Sequence, residues 1–124
     1  MLKVVVIEDE TLILENLLET LTLLGYDATG AADGNAGINL VKTDQPDLII
    51  CDIMMPGVDG WQVYDSLRSD PGTASIPFIF LTAVADDGSI ERAVELGVDG
   101  YVTKPFMTDD LVEVIHSVRA QRSG

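Results

Sequence analysis

The sequence predicts an α/β domain built on a doubly wound, five-stranded parallel sheet with helices on both faces. Five short apolar runs alternate with five segments whose apolar residues recur at helical spacing. The runs are apolar along their length, as in strands covered on both faces. Strand and helix alternate throughout, which calls for parallel pairing through right-handed crossovers.

Each element has its own signal. Residues 4–7 are the first apolar run, closing on Glu8, Asp9 and Glu10. Leu14, Leu17, Leu18 and Leu21 follow the i, i+3, i+4, i+7 spacing of a helix with one buried face. Gly25 stands where a helix end favours a left-handed residue. Residues 26–31 form a weaker strand, and Ala36, Leu40 and Val41 place a second helix ahead of Pro46. The third strand is 48–51, with Asp52 directly after it. Trp61, Val63, Tyr64 and Leu67 mark the third helix, stopped by Ser69-Asp70-Pro71-Gly72. Residues 78–81 are the fourth strand, closing on Thr82 and Ala83. A helix over 87–96, with Ala93 and Leu96 turned inward, ends at Gly97. The short strand 99–103 delivers Lys104 and Pro105, and Leu111, Val114, Ile115 and Val118 carry the last helix.

With no linker, repeat or low-complexity stretch, residues 1–124 read as one domain. Seven Lys and Arg stand against 21 Asp and Glu, a formal charge of −14. Such a surface repels nucleic acid and anionic membranes, so direct binding of either by this domain is not expected. No apolar run approaches the ~20 residues of a membrane span, and "MLKVVVIEDE" is broken by acids unlike a signal peptide. The single cysteine, Cys51, can form neither an internal disulfide nor a cysteine metal cluster. It suits a small core position in a cytoplasmic protein.

Ligands of doubly wound sheets bind beyond the carboxyl ends of the strands. At those ends stand Glu8-Asp9, Asp52, Thr82 and Lys104. Singly, each has an ordinary explanation: acids start helices, Thr82 caps, Lys104 is a solvated end. Together they put three carboxylates, a hydroxyl and an ammonium on one edge. Clustered carboxylates raise a pKa or recruit a cation, and oxygen ligands with room for water favour Mg²⁺. Lys104 and Thr82 would hold the remaining oxygens of a phosphoryl group. The residues thus imply a magnesium site with a phosphoryl group on or beside a carboxylate.

The blocks "VVVIEDE", "PDLIICDIMMPGVDG", "IPFIFLTA" and "GVDGYVTKPF" resemble, in order, the signature blocks of response-regulator receiver domains of two-component signalling. The likeness covers residues 3–118. It implies a flavodoxin-like sheet of order 2-1-3-4-5, with Asp52 as the acceptor of a phosphoryl group from a kinase phosphohistidine. By the same resemblance Asp9, Asp52 and the Met54 backbone carbonyl would ligate Mg²⁺ (or Mn²⁺), with Glu8 acting through a metal-bound water. Lys104 would pair with the acceptor and then with the phosphoryl group. Thr82 would swing toward that group and Tyr101 would turn inward behind it. Met54 and Val84 occupy the positions that tune phosphoryl lifetime, and their apolar side chains imply slow decay.

The resemblance further implies a cis Lys104-Pro105 bond and catalysis limited to the protein's own phosphorylation and dephosphorylation. Its implied partners are a sensor histidine kinase or phosphotransfer protein. An output domain, or self-association, would use the face of helix 4, strand 5 and helix 5. Gly37 stands where Ala is usual, and Gly88 lies in the first turn of the fourth helix, where it favours mobility.

Other residues read as structural: His116 as a surface histidine, Asp86-Asp87 as helix starters, Arg119 and Arg122 as complements to a helix end. Trp61 packs the start of the third helix. A flavin domain of the same order would want a Ser/Thr/Gly-rich loop where "EDETLIL" stands. An aspartyl phosphohydrolase would place a second Asp where Met54 is, and would carry a cap domain. A degenerate receiver, acting only as an interaction module, would lack one of the five site residues, and none is missing.

Overall fold

The computed structural model describes residues 2–82 and 87–123, with Thr82, Asp87, Arg122 and Ser123 given by their backbone alone. Val84, Ala83 and Asp86 lie outside the described residues. Ten elements alternate: β1 (Lys3–Ile7), α1 (Thr11–Leu23), β2 (Asp27–Ala31), α2 (Gly34–Asp44), β3 (Leu48–Asp52), α3 (Gly60–Ser69), β4 (Phe78–Thr82), α4 (Asp87–Leu96), β5 (Gly100–Thr103) and α5 (Thr108–Ser123). The strands form one parallel sheet of order β2-β1-β3-β4-β5, as the sequence predicts. β3 lies at its centre, with Val5 beside Ile49 and Asp52 beside Leu81.

Successive strand residues point to opposite faces, and the core divides accordingly. Val5, Ile7, Ile49, Cys51, Phe78 and Phe80 pack with Val41, Val63, Leu67 and Ala93 from α2, α3 and α4. Val4, Val6, Ile50, Ile79 and Leu81 pack with Leu17, Leu21, Leu111, Ile115 and Val118 from α1 and α5. Both faces of the sheet are covered, so Asp52 is delivered from a strand buried from end to end. A carboxylate there is fixed in place because its backbone cannot fray.

Several boundaries differ from expectation for identifiable reasons. Tyr26 closes α1 rather than opening β2: with Gly25 left-handed at φ +95°, the Tyr26 N–H donates to the Leu21 carbonyl. Asp99 precedes β5 because its carboxylate accepts from the Phe78 N–H at 2.8 Å and pairs with Arg68 at 2.9 Å. Leu96, expected inward, is 40% exposed. Three residues beyond Ala93 the helix has turned to about 60° off that direction, and α4 ends there. Its carbonyl instead accepts from the Tyr64 hydroxyl.

Candidate functional site

The strand register brings the expected residues together. Glu8 follows β1, where its N–H donates to the Ala31 carbonyl of β2 at 3.0 Å. Asp52 ends β3, and Lys104 follows β5 across the edge of the sheet. Lys104 Nζ donates to Glu8 Oε1 and lies 3.4 Å from Asp52 Oδ1. Glu8 is fully buried, Asp52 is 3% exposed, and Asp9 is half-buried beside them. One carboxylate oxygen from each of the three acids lies within 4.8 Å of the others. The Lys104-Pro105 bond is cis.

Burial drives the electrostatics. It raises the Glu8 carboxyl to about 7, against the pull of Lys104 and with the help of the Asp52 charge. Burial likewise raises Asp52 above the usual carboxylate range, opposed by its hydrogen bond to Glu8 and by Lys104. Lys104 is held above the ordinary ammonium range although burial acts against its charge, because Glu8 and Asp52 both favour it. The adjacent Cys51 thiol is pushed up by burial and by Asp52, Glu8 and Asp59, so it stays protonated.

One buried polar atom is left over. Among the described residues Asp52 Oδ1 accepts no hydrogen bond, despite the nearby ammonium. An unpaired buried carboxylate oxygen is costly unless something satisfies it. Three acids against one lysine leave an excess of negative charge that suits a hard divalent cation. The donor set therefore fits Mg²⁺, with Asp9, Asp52 and Glu8 as the side chains within reach. Such an ion would supply charge neutralisation beside Asp52.

The raised Glu8 carboxyl has a consequence for stability. Its folded value lies above the ordinary 4.5, so between about 4.5 and 7 the folded protein binds more protons than the unfolded chain. Stability of metal-free protein should therefore fall as pH rises through that window, by on the order of 2 kcal/mol. Denaturant unfolding in chelator at pH 5 and 8 measures this. Saturating Mg²⁺ should flatten the slope, and Glu8→Gln should remove most of it.

The remaining expected residues are placed as follows. Thr82 ends β4 with its backbone beside Thr103, while its side chain lies outside the description. Tyr101, on β5, is 38% exposed. The Met54 side chain is exposed just beyond β3. His116 is exposed. Trp61 packs on Phe80 with ring centroids 4.8 Å apart, and the Arg92 guanidinium covers it at 4.3 Å. Reading the sequence missed two features. Leu12 and Met107, each three residues from a site residue, are exposed apolar side chains. A groove of about 300 Å³ opens beside Lys104, lined by Ile13, Asn16, Pro105 and Phe106.

A five-stranded parallel sheet with acids and a lysine converging on the end of its central strand defines a class, and comparison with known proteins gives the family. The model of the response regulator receiver domain matches residues 4–116, and the chain belongs to that family. Transcriptional activator protein IrlR of Burkholderia pseudomallei is 40% identical over 119 residues, 96% of this chain and 49% of that protein. Chemotaxis protein CheY4 of Vibrio cholerae superposes with a TM-score of 0.89 at 26% identity, covering 95% of this chain and 98% of that one. The receiver domain of a signal transduction histidine kinase from Syntrophus aciditrophicus gives 0.85 at 29% identity, covering 97% and 92%. The chain spans about half the length of the curated relatives it matches. Receiver domains act in two-component signalling with histidine kinases and generally bind Mg²⁺. No helix among the described residues is long and apolar enough to cross a membrane.

Proposed function

We propose that the domain is a phosphorylation-dependent switch in which Asp52 accepts a phosphoryl group from the phosphohistidine of a sensor kinase or phosphotransfer protein. The observation that carries this reading is the buried Asp52 Oδ1, without a hydrogen bond among the described residues yet 3.4 Å from Lys104 Nζ. An Asp52 oxygen attacks phosphorus, and a P–O bond forms as the P–N bond breaks. The imidazole leaves with the electron pair and takes up a proton. Asp9, Asp52, the Met54 carbonyl and Glu8 (through water) would hold Mg²⁺, which would supply neutralisation of the phosphoryl charge. Lys104 moves from its carboxylate partners to a phosphoryl oxygen. Positioning and charge neutralisation are what phosphoryl transfer chiefly requires.

Thr82 then hydrogen-bonds the phosphoryl group and Tyr101 follows inward, reshaping the face of α4, β5 and α5 for an output domain or for self-association. Tyr101 is 38% exposed on β5, so an inward turn is open to it. Met54 and Val84 give incoming water no hydrogen-bonding partner, so the acyl phosphate is long-lived, suited to slow outputs such as transcription. The domain catalyses only its own phosphorylation and dephosphorylation, in the cytoplasm, and its acidic surface leaves nucleic acid to other segments.

Incubation with a small acyl phosphate and Mg²⁺ tests the reading. One base-labile phosphoryl group per chain, persisting for minutes, is the expected result. Steady turnover of the donor without an adduct would make the domain a phosphohydrolase instead.

A further inference from the structure

We propose that Gly60, the first residue of α3, is a positioning residue for the proposed phosphoryl transfer, holding the Asp52 peptide from behind. A Cβ at Gly60 would fall on the Asp52 carbonyl oxygen and lie 2.7 Å from Ile53 Cα and 3.1 Å from the Asp52 carbonyl carbon. All three are backbone atoms, which cannot swing aside as a side-chain tip can. The Gly60 N–H donates to the Ile53 carbonyl at 2.9 Å, tying the helix start to the peptide after the acceptor.

That first turn is itself fixed. The Asp59 carboxylate accepts from the Gln62 N–H at 3.0 Å, and the Gln62 side chain accepts from the Asp59 N–H at 2.9 Å. A rigid helix end thus abuts the main chain that carries the Asp52 carboxylate. Gly60 is not among the residues with positive φ, so its backbone admits alanine. Alanine would even favour the helix by up to ~1 kcal/mol. The close approach is therefore what glycine provides here, and through it α3 sets where the carboxylate stands relative to Lys104. Misplacement by a fraction of an ångström to an ångström is enough to slow an in-line reaction.

The test compares wild type, Gly60→Ala and Gly30→Ala. Gly30 on β2 is another closely packed glycine, but the atoms nearest its Cβ, from 2.8 Å outward, belong to the Leu14 and Leu18 side chains. Phosphorylation by acetyl phosphate is followed by intact mass at saturating Mg²⁺, per folded molecule by circular dichroism. Gly60→Ala should lose about tenfold or more in maximal rate, with little change in half-saturating donor concentration. Gly30→Ala should stay within about twofold of wild type, as a purely structural change does. Gly60→Ala within twofold of wild type, or an equal loss in Gly30→Ala, overturns the proposal. Should Gly60→Ala not fold, amide exchange in the wild type decides. The Gly60 N–H should exchange only through global unfolding, and faster local exchange overturns the proposal. The inference rests on Asp52 as acceptor: a wild type that takes up no phosphoryl group refutes that reading, whereas a normal wild type with a normal Gly60→Ala refutes only the role of Gly60.

Discussion

Asp9→Ala is expected to weaken Mg²⁺ binding by roughly 100-fold or more. The cluster holds three acids against one lysine, and Lys104 already engages Glu8 and sits beside Asp52. Asp9 supplies the charge that no cation among the described residues pairs with. Its removal also lifts a repulsion that helps raise Asp52, so the metal-free variant should be more stable than wild type while responding less to Mg²⁺. A titration followed by Trp61 fluorescence or amide chemical shifts measures the affinity. Undiminished binding would contradict the metal site as described.

Lys104→Ala should give the opposite split. Removing the ammonium takes away a cation that competes for Glu8 and Asp52, so Mg²⁺ should bind at least as tightly as in wild type. Phosphorylation by a small donor should nevertheless slow by about 100-fold, the usual loss on removing a group that holds developing charge in a water-poor site. A variant that binds metal and phosphorylates at the wild-type rate would remove Lys104 from the transfer step. The two variants separate holding the ion from holding the phosphoryl group.

The strand-end residues were legible in the sequence because a doubly wound sheet leaves little freedom in what its carboxyl edge displays. Glu8, Asp9, Asp52 and Lys104 each follow or end an apolar run, and the strand order sets them on one edge, where the Lys104 side chain reaches Glu8 and Asp52. Features that depend on distant partners were not legible. Asp99 looks like the start of β5 until Arg68, 31 residues away, and the Phe78 amide are seen to claim its carboxylate. Gln45 closes α2 in a left-handed conformation, at φ 50°, with no glycine to signal it. The raised Glu8 carboxyl requires a burial that a sequence of acids does not announce. The close contact at Gly60 has no signal in the sequence, because the atom it makes room for belongs to the main chain.

The central claim is that Asp52 receives the phosphoryl group. Intact-mass measurement of wild type and Asp52→Asn, each incubated with acetyl phosphate and Mg²⁺, tests it most directly. Wild type should gain the mass of one phosphoryl group, lost on hydroxylamine treatment, and Asp52→Asn should gain none. The same adduct on Asp52→Asn, or none on wild type, would contradict the account.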